Sequence, residues 1–140
     1  MVKKQLSYSI KTMEGIKETY TKKLREAGIR TIGDLLRAGA EKSDRKKLAK
    51  RTGISEKKIL RWVNKADLLR VPGIGEEYSY LLEQAGVNTI VELSKRNPDN
   101  LYETLVMVNK RKKVVRRLPT RKQVASWIQA AKKLERIIEY

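Results

Sequence analysis

Leu69-Arg70-Val71-Pro72-Gly73-Ile74-Gly75 is followed ten residues later by Ala85-Gly86-Val87-Asn88-Thr89-Ile90. An apolar helix end runs into a Pro-Gly-Ile-Gly hairpin, then an amphipathic helix, then a glycine stop. Two glycines around one buried aliphatic let the backbone turn tightly, because glycine reaches positive φ without strain. They also leave successive N–H groups uncovered at the start of a helix, a geometry suited to a phosphate.

An altered copy lies 58 residues upstream. With Thr12–Leu35 placed over Arg70–Leu93, 10 of 24 positions are identical without a gap. Gly15 falls on Gly73, Ile16 on Ile74, Tyr20 on Tyr78, Leu24 on Leu82, Gly28 on Gly86 and Thr31 on Thr89. A repeat of this kind reads as one supersecondary unit used twice. It continues in Ser55–Val63 against Thr120–Ile128, where the offset is 65, so the second half carries about seven extra residues before its Trp helix.

The chain of 140 residues is long enough for one packed domain or two small interlocked ones. Phe is absent and aromatics are few, so Leu, Ile and Val supply most of the core. With no Cys and no His, disulfides, thiolate metal sites and imidazole acid–base chemistry are excluded. No metal or other cofactor is expected. Met1–Tyr8 has no apolar signal-peptide core, and no stretch approaches the ~20 apolar residues of a membrane span. A cytoplasmic protein without a membrane partner is the expectation. The net charge is +17, from 33 Lys and Arg against 16 Asp and Glu. So large an excess on so small a chain implies a polyanionic partner, most often nucleic acid.

Helical signals dominate. Residues 17–27 read as a helix stopped by Gly28, and Thr31-x-x-Asp34 and Thr89-x-x-Glu92 as matched helix starts. A short basic helix is expected over 43–51 after Ser43. Ser55 caps a longer one through Leu69, with Trp62 and Val63 facing inward. Gly75 leads into helix 76–85. Asn97-Pro98 starts a helix to about Lys110, and Thr120 caps the last, over about 121–138, with Trp127 inward.

Val71-Pro72-Gly73-Ile74-Gly75, with Leu82 and Ala85-Gly86-Val87, resembles the helix-hairpin-helix motif. That resemblance implies sequence-nonspecific contact with the DNA backbone through hairpin amides. The whole chain looks closer still to a family of tandem helix-hairpin-helix proteins classed as a domain of unknown function. It does so through Thr52-Gly53-Ile54-Ser55, Trp62–Leu68, Arg96-Asn97-Pro98, Val108-Asn109 and Val115–Pro119, over roughly residues 10–140. The expected fold is all-α, with two pseudo-repeated helix-hairpin-helix units packed as one compact domain. The first unit spans 1–68 and the second 69–140, with a shared helix at about 56–70 and a basic insertion near 104–119.

Candidate nucleic-acid contacts follow. At the first hairpin they are Gly15, Lys17 and Lys22, and at the second Gly73 and Gly75. In the first copy Glu14 replaces proline and Lys17 replaces the second glycine; Lys17 either adds a phosphate contact or deforms the turn. In the second, Glu76 and Glu77 repel phosphate, within a stretch from Val71 to Glu103 whose net charge is −4. Thr104–Leu134 has no acid and ten bases, eight of them within Lys110–Lys122: Lys110, Arg111, Lys112, Lys113, Arg116, Arg117, Arg121 and Lys122. They form either a polyanion patch or a loop neutralised by the acidic stretch beside it. Lys46 and Lys50 are one helical step apart, as are Lys57, Arg61 and Lys65 in series, and suit a rail along a backbone. No carboxylate spacing suggests a catalytic site, so an enzyme and a small-molecule substrate are not expected. The reading is nonspecific nucleic-acid backbone binding, with double-stranded DNA favoured, RNA possible and a nucleoid location. The alternative is a protein-interaction or scaffold module in an RNA-rich or ribosomal assembly.

Overall fold

A computed structural model describes residues 4–13 and 15–140. Two short 3-10 turns, Lys4–Ser7 and Ile10–Thr12, precede eight α-helices: α1 (Glu18–Glu26), α2 (Ile32–Ala38), α3 (Lys42–Thr52), α4 (Glu56–Leu68), α5 (Glu76–Gln84), α6 (Ile90–Ser94), α7 (Pro98–Lys112) and α8 (Arg121–Lys133). Among the described residues there is no strand, only an isolated antiparallel bridge between Ser9 and Thr31.

Side chains set most helix starts. Thr31 accepts from the Asp34 amide at 3.0 Å while Asp34 accepts from the Thr31 and Arg30 amides at 3.1 Å, a complete capping box. Those amides, with Arg37, hold the Asp34 carboxyl below its usual range. Thr120 and Gln123 form a second box, and Ser55, Thr89 and Asn97 each accept from the amide three residues on. The helix expected after Ser43 begins one residue earlier, with Glu41 at its boundary and no side-chain cap.

α4 is the centre of the molecule. It packs against α2 and α3 on one side and α5 and α6 on the other. Trp62 on α4 and Trp127 on α8 are each 1% exposed within one continuous hydrophobic cluster spanning both halves. Local geometry recurs at the matched positions. Gly15 and Gly73 have φ of 90° and 89°, and Gly28 and Gly86 both 86°. Tyr20 meets Trp62 at 5.2 Å between centroids and Tyr78 meets Trp127 at 5.3 Å. The two turns are entered differently, from α4 in the second half but from a single 3-10 turn in the first.

One expectation is corrected. The last helix stops at Lys133, not 138, because Leu134 turns to an extended conformation. Residues 134–140 then cross to the first half. The Glu139 amide donates to Ala40 O at 2.8 Å, Arg45 and Arg70 donate to the Glu139 and Glu135 carbonyls, and Ile138 is buried. Tyr140 donates to Asn64 Oδ1, and burial raises its hydroxyl pKa to about 12. The extra residues of the second half are divided between helix and loop. α7 has 15 residues against 11 in α3, so part of the basic segment is helix and the rest is the connection Lys113–Thr120.

Candidate nucleic-acid interface

The two turns share a backbone. Ile16 donates to Met13 O at 3.3 Å and Ile74 to Val71 O at 3.1 Å, and both isoleucines are buried. Only the first glycine of each turn uses positive φ. Gly75 is extended, at φ −101°, and Lys17 in its place is extended too, at φ −75°. Lys17 therefore leaves the turn intact, because any residue adopts that conformation. Lys17 and Gly75 bound α1 and α5 without a side-chain cap, so neither helix start has its amides covered in that way. Glu14 lies outside the described residues.

What surrounds the turns differs. Gly15, Lys17 and Lys22 are exposed, and a shallow hollow along α1 carries Lys11, Lys22, Arg25 and Arg30 beside Glu18 and Glu26. At the second turn Gln5 lies over Gly75, where a Cβ would meet its Nε2 at 3.0 Å. The backbone there does not demand glycine, and a Cβ would require only that the end of the Gln5 side chain shift. Of the two glutamates, Glu76 is engaged from the protein side: its Oε1 lies 3.0 Å from Lys65 Nζ. Glu77 faces outward and is exposed.

The basic segment comes to this same corner. α7 ends with Lys110, Arg111 and Lys112, all exposed, and Lys113 follows at φ 49°, ψ 49°, the described non-glycine residue with positive φ. Asn109 then clamps the loop, accepting from the Val115 amide at 2.9 Å and donating to Val115 O at 3.1 Å. Tyr78, in the first turn of α5, donates to Arg117 O at 3.0 Å, and Val115 is buried. A hollow lined by Glu77, Lys113 and Arg116 adjoins the one at Gly73–Tyr78. Lys112 reaches back to Gln84 at the far end of α5, with Nζ to Oε1 2.6 Å. The insertion thus runs beside α5 and brings Lys113, Arg116 and Arg117 to the second turn.

Among the described residues, internal neutralisation is seen at Arg121, which pairs with Asp99 at 3.1 Å and Glu103 at 2.6 Å and lies 4.5 Å over the Tyr102 ring. The Glu103 bond, chiefly, raises its pKa. Lys110, Arg111, Lys113, Arg116, Arg117 and Lys122 are exposed.

The rail on α4 does not form. Lys57 is exposed, but Lys58 donates to the Tyr20 hydroxyl at 2.7 Å, lowering the Tyr20 pKa. Arg61 makes a two-pronged pair with Glu83 at 2.7 and 3.0 Å, which lowers the Glu83 pKa. Lys65 is 3% exposed, because α4 is covered by α5 at this level. On α3, Lys46 and Lys50 are exposed, whereas Arg45 is buried and donates to Gly39 O, Ala40 O and Glu139 O. Arg45 and Lys65 are structural cations, not ligand contacts. The sequence offers Asn109 only through the family resemblance and Tyr78 only as the match of Tyr20; the available signal for the clamp was Asn109 at the end of a basic helix, before a loop.

Among the described residues no helix is long and apolar enough to cross a membrane. The model of a family described as a domain of unknown function, DUF4332, matches residues 14–134. No curated protein and no solved structure matches the chain.

Proposed function

We propose that the chain, which belongs to the DUF4332 family, is a pair of helix-hairpin-helix units that binds the nucleic-acid backbone without sequence preference, double-stranded DNA above all, and catalyses nothing. Cytoplasmic placement on the nucleoid is part of this reading. The observation that carries it is the pinned basic loop at the mouth of the second turn. Asn109 and Tyr78 hold a run of exposed bases in one geometry beside the start of α5. An ordered cationic ridge loses less side-chain and backbone freedom on meeting phosphates than a loose tail does. Phosphate contacts of this kind position a duplex and read no bases.

Salt titration of binding to an arbitrary duplex tests the reading. If five or six bases each displace a counterion, the log–log slope is about −5, and affinity falls on the order of 10³-fold between 50 and 200 mM salt. A flat response, or no binding at low salt, rejects backbone recognition and favours the scaffold alternative. A matched RNA duplex and single strands measured alongside fix the preferred nucleic acid.

Lys113 gives a sharper prediction. A lysine in the left-handed region sacrifices roughly 1 kcal/mol that glycine would not, and strain of this sort concentrates at functional sites. Lys113→Gly is expected to raise the unfolding free energy by about 0.5–1 kcal/mol. The same change is expected to weaken duplex binding several-fold and flatten the salt slope by about 0.9. Chemical denaturation and anisotropy on the same preparation check both; unchanged affinity removes Lys113 from the interface.

A further inference from the structure

A cleft of about 500 Å³ lies between α4 and α5, apart from the basic loop. Leu60, Asn64 and Leu68 fall on one stripe of α4, four residues apart, and line it. Leu68 is buried and Leu60 half-buried, so the floor is aliphatic. Asn64 and, from beyond α5, Asn88 add amide groups to the wall. The volume falls within the ~300–1,000 Å³ range of small-molecule sites, which combine an apolar body with a few convergent polar groups.

The cleft is positive at its rim. Lys57, Lys58 and Arg61 stand on its rim, and Lys65 is part of its inner wall. Lys65 is 3% exposed, and its Nζ has no well-directed hydrogen bond among the described residues, although Glu76 lies 3.0 Å away. Glu83 is the carboxylate in the lining, and it is engaged by Arg61. Glu76 compensates the charge of Lys65 and Glu83 that of Arg61, so the positive charge left at the cleft is that of Lys57 and Lys58 on its rim. An occupant that matches has a flat apolar body and one compact anionic group.

We propose that this cleft binds a small organic phosphate, its flat body on Leu60 and Leu68 and its phosphate at Lys57 and Lys58. The site is independent of the nucleic-acid reading, since it shares no residue with the basic loop.

The probe is 4-methylumbelliferyl phosphate, titrated into the full chain and followed by backbone amide NMR shifts. 4-Methylumbelliferone lacks the phosphate, and inorganic phosphate lacks the body. The intact probe is expected to bind roughly tenfold or more tighter than either, from the added apolar burial and charge pairing. Its shifts should centre on Leu60, Asn64 and Asn88. Leu60→Glu should abolish this binding. Because Leu60→Glu perturbs a half-buried position, Lys57→Glu, at an exposed one, provides the second variant and should weaken binding several-fold with the fold intact. A chain in which the four bases Lys110–Lys113 are replaced by Gln should bind the probe as the native chain does, even if it has lost DNA. Binding no tighter than that of inorganic phosphate, or shifts centred on residues 110–117, would overturn the proposal.

Discussion

Trp127→Ala is expected to remove about 3–5 kcal/mol of unfolding free energy, a large share of the ~5–15 kcal/mol typical of a domain. The indole is fully buried, packs on Tyr78, and lies directly beneath the second turn. Its loss leaves a cavity and forfeits an aromatic pair worth about 0.5–1.5 kcal/mol beyond the area buried. Chemical denaturation followed by circular dichroism should show a lower midpoint at unchanged slope. A loss below about 1 kcal/mol would mean that the site collapses around the smaller side chain.

The same residue allows the turn to be dissected. A Cβ on Gly73 would meet Trp127 Nε1 at 3.0 Å, tighter than ordinary contact, and would sit on a backbone at φ 89°. Gly73→Ala thus carries two penalties, one conformational and one steric. In a Trp127→Ala background only the first remains. The double variant should be less destabilised than the sum of the single ones, by a coupling within the ~0.5–3 kcal/mol range of residues in contact. In the first half the corresponding distance, from Gly15 to Trp62 Nε1, is 3.7 Å. The parallel cycle there should give a coupling near zero. Equal coupling in both halves would show that the turns rest on their tryptophans alike.

Local chemistry was readable where it acts within a few residues. The caps at Thr31, Ser55, Thr89, Asn97 and Thr120 each bind an amide three positions on, so the sequence carries both partners. Trp62 and Trp127 were legible from helical spacing. The end of α8 was not, because Leu134 and Ile138 keep the spacing of an inward helix face. What ends the helix is the gain to the extended tail of bonding Ala40 and Arg45, about 94 residues away. The charges misled in the same way. Lys65 continues the series from Lys57 and Arg61, yet tertiary packing turns it into the interior, where Glu76 and the Tyr80 ring compensate its burial. Asp67, also buried, has its carboxyl pKa raised by desolvation despite Arg70 at 2.7 Å.

The opposition drawn in the sequence between an acidic second half and an adjoining basic insertion also resolves in space. Linear segments of opposite charge predict mutual neutralisation. Folding separates most of the pairs: Asp99 and Glu103 hold Arg121, Glu76 turns to Lys65 and Glu83 to Arg61. Four of the six acids are thus spent on the rim of the patch or on α4, Glu77 remains beside Lys113 and Arg116, and Lys110–Lys113, Arg116 and Arg117 stay exposed.

This distribution makes the change of Lys110, Arg111, Lys112 and Lys113 to Gln the decisive one for binding. If all four meet phosphates, the salt slope becomes shallower by about 3.6, and affinity for duplex DNA near 0.1 M salt drops on the order of 10²–10³-fold. Lys17→Ala, which removes one exposed charge from the first turn, should lower it only several-fold. Two other effects must be separated from contact. The bases at the end of α7 favour its dipole by about 0.3–1 kcal/mol each, so stability is measured in parallel. Loss of four charges also weakens steering by the whole molecule. Lys95, Lys132, Lys133 and Arg136 changed to Gln give the same net charge with the loop intact, all four being exposed. If contact is local, this control retains most of the native affinity and slope. If both variants lose binding equally, overall charge and not the pinned loop holds the polyanion, and the interface assigned to the α7–α8 connection is wrong.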